Sequence, residues 1–270
     1  MSFQDILPPD TPRYKYESYD QCLEILDQQS DRLTREEGPL GCAYNPYFII
    51  DIEEDSFQEY FVNSGEKILT LSWEIYDHEA QSALFKMETA AHAVAARTFD
   101  IFFAAWARKV DDPLLSVTPK RTFRGKTRSK KADISWTISG IPEGRSKKWP
   151  TFIGEVAWSG HRAKLKGDVG FWLNDPDSYA KVVISISVFC DKVMVESWER
   201  SDESPSPVQM IQIIRDPRPG CPQVNGHLEI QFSDIFGRDK TDEESNFRLT
   251  EPDMEILARN IWAFQYPTHK

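Results

Sequence analysis

The chain has few cysteines and no long apolar run, and both shortages limit what it can be. Its four cysteines among 270 residues show no CxxC spacing, which is typical of a reducing, intracellular setting. No apolar stretch reaches the roughly 18 residues that a transmembrane helix needs. The first residues, MSFQDILPPD, lack the apolar segment of a secretory signal. We therefore expect an intracellular protein, cytoplasmic or nuclear, with no membrane partner.

Positive charge is also scarce, since 32 Lys and Arg stand against 43 Asp and Glu and give a formal net charge of −11. This balance argues against a protein that coats nucleic acid nonspecifically, because that class needs a cationic face. Seven of the cations nevertheless lie together in PKRTFRGKTRSKK, residues 119–131. If this segment forms a hairpin beside a catalytic site, nucleic acid becomes a possible partner. The side chains that would contact its phosphates are Arg124, Lys126, Arg128 and Lys130. The alternative is a solvated loop.

The order of helical and strand patterns predicts the fold class. Helical spacing appears in SYDQCLEILDQQSDRLTREEG and over residues 77–110, and again in the C-terminal PDMEILARNIWAF. Residues 181–189 are β-rich on both faces, as a central strand is. The segments SPVQMIQII and GHLEIQFSDIF look like further strands. We therefore predict an α/β protein, with residues 1–75 as an N-terminal helical extension packed on a domain at 76–270.

Two acids occupy comparable strand positions. In KKADISWTI, the apolar residues alternate with Asp133, Ser135 and Thr137, so Asp133 points away from the core. In TFIGEVAWS, Glu155 shares a face with Ile153 and Ala157. If these two strands are antiparallel neighbours, both carboxylates can converge on one Mg²⁺ ion, which needs one or two carboxylates plus water and substrate phosphate. The alternative is a pair of solvated acids at strand ends.

The stretch from residue 130 to residue 188 resembles the PD-(D/E)XK nuclease-like domain, in the version abundant in filamentous fungi. The later GHLEIQFSDIFGR is similar to another element of that family, so the resemblance covers roughly residues 80–265. The residues that match its motifs are Asp133, Ser135 and Trp136 in the first strand, then Glu155, Val156, Ser159, Lys164, Leu165, Asp168, Trp172 and Leu173. Ala132 stands in place of the motif proline and Ala157 in place of the motif lysine.

This resemblance implies a restriction-endonuclease-like core, in which a mixed central sheet is flanked by helices, with extra N- and C-terminal helices. It implies a metal-dependent phosphodiesterase acting on nucleic acid with Mg or Mn, although the active site is degenerate. The metal ligands would be Asp133 and Glu155, with Glu88 on the long helix as an outer acid. Because Ala157 cannot stabilise phosphorane charge, Lys164 becomes the candidate replacement. Its alternative role is an i,i+4 partner for Asp168 on a wet helix face.

Two other functions use the same fold without a metal. Aromatic residues near the predicted site could line a small apolar pocket, with Trp136, Trp158 and Ser159 contacting an organic substrate. The protein would then be a lyase or cyclase of fungal secondary metabolism, such as a dehydratase, with no cofactor and with Asp133, Glu155 or a histidine, His161 or His92, as general acid or base. Core packing of the tryptophans and a solvated His161 are the alternatives. A non-catalytic binding module is the third possibility, and the sequence does not indicate the oligomeric state.

Overall fold

The computed structural model describes residues 3–36, 45–64, 72–110, 115–117, 121–138, 149–158, 161–201, 205–215 and 222–265. They form two compact units, of which the first combines Met1–Thr89 with Thr122–Lys131 and the second combines Ala90–Arg121 with Ala132–Lys270. This division differs from the one predicted at residue 75. The first unit takes in a distant hairpin, and periodicity within a segment cannot reveal such long-range pairing.

The described helices and strands are named here in chain order. The helices are α1 (Tyr19–Glu36), α2 (Glu54–Phe57, continued by a π turn at Gln58–Val62), α3 (Ala90–Ala107), α4 (Arg162–Asn174), α5 (Phe232–Phe236) and α6 (Glu251–Gln265). The strands are β1 (Arg13–Lys15), β2 (Tyr47–Asp51), β3 (Trp73–Asp77), β4 (Ser82–Lys86), β5 (Leu115–Val117), β6 (Thr122–Arg124), β7 (Arg128–Lys131), β8 (Ile134–Ile138), β9 (Phe152–Trp158), β10 (Val182–Val188), β11 (Lys192–Glu199), β12 (Pro207–Ile214), β13 (Gln223–Val224), β14 (Leu228–Ile230) and β15 (Phe247–Leu249).

The first unit is a six-stranded sheet with the order β1-β2-β4-β3-β7-β6. Only the β1–β2 pair is parallel among these strands. Aromatic side chains fill its core, where Phe57 stacks on Tyr76 with ring centroids 3.9 Å apart. Helix α1 adds Cys22, Ile25 and Leu26 to the same core. The N-terminal region is therefore a sheet with helices, because its short strands bury aromatic faces rather than showing clear period-2 patterns.

The helix predicted over residues 77–110 is wrong in its first third. The structure forms the β3–β4 hairpin there, and α3 begins only at Ala90. At the hairpin turn, the Asp77 carboxylate accepts the backbone N–H groups of Glu79 and Ala80, at 3.1 and 2.9 Å, and Gln81 has a φ of 48°. Leu84, which follows the turn, matched helical spacing by coincidence, since it belongs to the buried strand β4.

The second unit is a seven-stranded mixed sheet with the order β13-β12-β11-β10-β9-β8-β5. Strands β9 and β10 are parallel and are joined through α4, whereas the other described neighbours are antiparallel. Helices α3 and α6 pack against one face, where Phe103, Phe152, Ile184 and Ile261 share one apolar core. The α/β class, with a long helix on a mixed sheet and additional terminal helices, is confirmed.

The order of elements around the predicted site also agrees with the sequence. The chain runs from strand β8 to β9, through α4, and back into the buried β10. The predicted strand in SPVQMIQII and the closing helix are present as β12 and α6. The strand predicted for GHLEIQFSDIF is partly wrong, because only Leu228–Ile230 pair with β15, and the chain then turns into α5.

Two findings bear on the predicted setting. None of the helices in the described part of the chain combines the length and the apolar composition that a membrane span needs. Among the described cysteines, Cys22 is a free buried thiol whose pKa is raised to about 11 by burial, whereas Cys190 is disulfide-bonded. The absence of CxxC spacing did not exclude this disulfide, so an intracellular location stays a prediction.

Gly154 in β9 gives a stability test of the strand that carries Glu155. A Cβ atom at this position would lie 2.9 Å from Ile134 Cδ1 and 3.1 Å from Ile134 Cβ. We expect Gly154→Ala to lower the free energy of unfolding by about 1–3 kcal/mol through overpacking. Gly170→Ala in α4 is the matched control, because its Cβ would make an ordinary 3.7 Å contact and should raise stability by about 0.5–1 kcal/mol. Urea denaturation of both variants measures these changes. Equal unfolding midpoints for the two variants would contradict the close packing of Gly154 in β9 against Ile134 in β8.

Candidate functional site

Asp133 immediately precedes β8 and lies against β9. The register pairs Ile134 with Gly154, so the next step along the two antiparallel chains brings Asp133 opposite Glu155. Asp133 Oδ2 accepts the backbone N–H of Val156 at 2.7 Å, which fixes the carboxylate at the strand edge. The two acid-bearing strands are therefore antiparallel neighbours, which was the condition for bringing their carboxylates together.

His92 is the close neighbour of Asp133, and the sequence offered it only as one of two histidines near the predicted site. It lies in the first turn of α3, and its Nε2 is 3.2 Å from Asp133 Oδ1. Both side chains are largely buried. The signal was weak in the sequence, because a single histidine beside alanines on a helix carries no motif. The pair forms an imidazole–carboxylate dyad.

Glu155 belongs to a buried polar cluster between β9 and α4. Its side chain is 3% exposed, and Oε1 accepts a hydrogen bond from the indole Nε1 of Trp172. Ligand oxygens of Glu155 and Asp168 lie within 4.8 Å of each other. Two adjacent carboxylates at this depth need a nearby cation, because burial disfavours uncompensated charge.

Lys164 supplies that cation. Its Nζ lies 2.6 Å from Asp168 Oδ2, and the lysine is 1% exposed. The i,i+4 pairing with Asp168 is thus present, but the wet helix face predicted for it is wrong. Helix α4 turns this face towards the sheet, because Leu165, Trp172 and Leu173 bury their side chains there as well. Lys164 therefore sits among the carboxylates rather than in solvent.

The donor set of this cluster could hold a divalent cation. Carboxylate oxygens are the ligands that Mg²⁺ and Mn²⁺ prefer. Two oxygens on one Mg²⁺ lie at most about 4.2 Å apart, so the separation of Glu155 and Asp168 is close to what a shared ion requires. Among the described residues, Asp133 and Glu155 do not occur together in one group of three or more possible ligands. Their sharing of one ion stays a prediction.

Three further predicted site residues lie outside this cluster or outside the described structure. Glu88 is exposed and lies in the loop before α3, so its predicted place on the long helix is wrong. His161 directly precedes α4, where its carbonyl accepts the N–H of Leu165 at 3.0 Å. Ser159 lies outside the described residues.

The two tryptophans predicted to contact substrate are core residues. Trp136 packs on Phe103 with ring centroids 4.9 Å apart and donates its indole N–H to Asp100 at 2.9 Å. Trp158 belongs to the same apolar core under α3. Both lie on the face of the sheet opposite to Glu155, because side chains alternate along β9 and Trp136 pairs with Phe152, which shares its face with Trp158. This packing favours the core interpretation of these tryptophans.

The basic segment forms a hairpin within the first unit, where β6 pairs with β7. Its side chains differ in their surroundings. Arg124 is exposed and pairs with Glu54 at 2.8 Å, and Lys126 is also exposed. Arg128 is half-buried, whereas Lys130 is fully buried and pairs with Glu74 at 2.8 Å. The burial of Lys130 argues against its predicted contact with a phosphate, since its ammonium group already neutralises the buried Glu74 carboxylate.

Comparisons with known proteins gave a likeness to solved structures. No protein-family model matches the chain, and no curated protein matches it. A solved structure, that of a putative nuclease belonging to DUF820 from Anabaena variabilis ATCC 29413, is 14% identical with a TM-score of 0.36. The match covers 50% of this chain and 75% of that one. A likeness of this size supports no inference about the site.

Proposed function

We propose that the protein is a metal-dependent, nuclease-like phosphodiesterase whose centre comprises Glu155, Asp168 and Lys164, with Asp133 on the neighbouring strand. One observation carries this proposal. A buried ammonium group lies 2.6 Å from one of two carboxylates that approach within 4.8 Å of each other. Carboxylates able to hold a hard cation, together with a fixed positive charge, are what phosphodiester hydrolysis needs.

Glu155 and Asp168 are the residues that would hold Mg²⁺ or Mn²⁺, and Asp133 is the third carboxylate nearest in strand register. A bound divalent cation lowers the pKa of its water and neutralises phosphate charge. Trp172 keeps Glu155 in one orientation through its indole N–H. Preorganised ligands of this kind need little rearrangement before the reaction.

Lys164 is proposed to take the place of the missing motif lysine at Ala157. Its ammonium group can stabilise negative charge that develops on the phosphoryl oxygens, which is typically worth a few kcal/mol in such sites. Asp168 holds Lys164 in position through the 2.6 Å contact. Both side chains project from successive turns of α4, so the helix rather than the strand delivers the charge.

A cleavage assay tests this function. Fluorescently labelled single- and double-stranded DNA and RNA are incubated with the protein in Mg²⁺, in Mn²⁺ and with a chelator. We expect cleavage that the chelator abolishes and that Mn²⁺ restores. Cleavage that persists undiminished in chelator, or none on any of these substrates with either ion, would rule the proposal out.

A second candidate is acid–base chemistry on a small organic substrate without a metal. It is favoured by the 3.2 Å contact between His92 and Asp133, because such a dyad can move a proton. Here chelator should have no effect, whereas His92→Gln should remove activity. The role in fungal secondary metabolism, and the third option of a binding module without turnover, have no comparable observation in their favour.

A further inference from the structure

Arg162, the first residue of α4, is held in one position by a fully buried acid. Its Nη1 and Nη2 donate to the two carboxylate oxygens of Glu196, the second contact being 2.8 Å. The guanidinium also lies over the Trp198 ring, 4.7 Å from the centroid. The side chain of Arg162 is nevertheless 42% exposed. Arg162 is therefore held on its buried side by Glu196 and Trp198, while the rest of its guanidinium group faces solvent.

A network beneath Arg162 fixes Glu196 in turn. Ser185 Oγ donates to Glu196 Oε2 at 3.2 Å and accepts the indole N–H of Trp198 at 2.9 Å. Each carboxylate oxygen of Glu196 therefore has a donor. A buried carboxylate with this many partners is strongly oriented, so the guanidinium it binds loses little further freedom when it meets a ligand.

Arg162 lies on the same face of the sheet as the proposed centre. Ser185 pairs with Glu155 on one side and with Glu196 on the other, so the three residues form one row across β9, β10 and β11. Directly paired residues project to the same face. Two strand spacings place Glu196 roughly 10 Å from Glu155 along this row. Because Arg162 is bound to Glu196, its guanidinium is anchored at the far end of this row from Glu155, a separation that suits a phosphate next to the one being cleaved.

We propose that Arg162 binds a backbone phosphate of the substrate that flanks the one being cleaved. This inference rests on the proposed phosphodiesterase function. Glu196 uses two of the five guanidinium N–H groups, which leaves three for a phosphate. Arginine is suited to this task, since its planar fork matches phosphate geometry and its charge is permanent. The ligand class is therefore a polynucleotide rather than an isolated phosphodiester, and Arg162 is a substrate-binding residue.

The experiment compares Arg162→Ala with Arg259→Ala, a matched control that removes an exposed arginine paired with Glu255 on α6. Steady-state kinetics are measured on a labelled oligonucleotide and on bis(p-nitrophenyl) phosphate, which has a single phosphate. For Arg162→Ala we expect KM for the oligonucleotide to rise about tenfold. The loss should be larger on the oligonucleotide than on the single-phosphate ester. The slope of log affinity against log salt should fall by about 0.7 for a single strand.

The outcomes separate this inference from the function on which it rests. If the wild-type protein cleaves the oligonucleotide but both arginine variants show the same KM and salt slope, the phosphate contact is refuted and the phosphodiesterase stands. If the wild-type protein cleaves neither substrate, both fail. Because Arg162→Ala leaves Glu196 buried without its partner, the double variant Arg162→Ala, Glu196→Gln is tested as well. It removes both charges and should keep the raised KM while recovering stability.

Discussion

Replacing Lys164 with methionine should lower the free energy of unfolding by about 3 kcal/mol, because Asp168 would remain buried without its cation. The nearby Glu155 carboxylate adds to this loss, since the two acids approach within 4.8 Å. Replacing both members of the pair, as Lys164→Met with Asp168→Leu, should recover most of the stability, because apolar groups of similar volume need no partner. Urea denaturation of the two variants measures both effects.

Lys166→Met is the matched control for that experiment. Lys166 lies on the same helix two residues away and is exposed, so its loss should change stability by no more than about 0.5 kcal/mol. If Lys164→Met were as stable as Lys166→Met, the buried ion pair would not exist in solution. A double variant no more stable than Lys164→Met would equally contradict the pairing.

Glu155→Gln is expected to reduce phosphodiester cleavage by about 100-fold or more, because an amide oxygen is a far weaker ligand for a hard cation than a carboxylate. Its fold should persist, since the new carbonyl oxygen can still accept the Trp172 indole N–H. The measurement is kcat/KM with increasing Mn²⁺. Glu199→Gln, an exposed acid at the end of β11, should match the wild type. Equal activity of the two variants would remove Glu155 from the centre.

The acid-bearing strands were predictable because their signal is local. Alternation along residues 132–138 separates the apolar Ile134 and Trp136 from Asp133, and the structure places those two residues in the core. The buried β10 was equally evident from its run of β-branched residues. The alternation and the β-branched run each lie within a single strand, so they can be identified from the sequence alone.

The surroundings of the site residues were not predictable in the same way. Lys164 was expected to be wet because lysine usually is, and only the packing of α4 on the sheet shows that it is buried. His92 meets Asp133 from a position 41 residues earlier in the chain. The β6–β7 hairpin joins the first unit through pairing with β3. Such contacts are set by tertiary packing, which periodicity within a segment does not encode.

The most direct test of the central claim is calorimetric titration of Mg²⁺ and Mn²⁺ into the wild-type protein and into the double variant Asp133→Ala, Glu155→Ala. We expect a binding heat in the wild type that is lost in the double variant, because Glu155 is one of the two proposed ligands of the ion and Asp133 is the carboxylate next to it in strand register. A wild-type protein that binds neither ion at millimolar concentration, or a double variant that binds as the wild type does, would contradict this expectation.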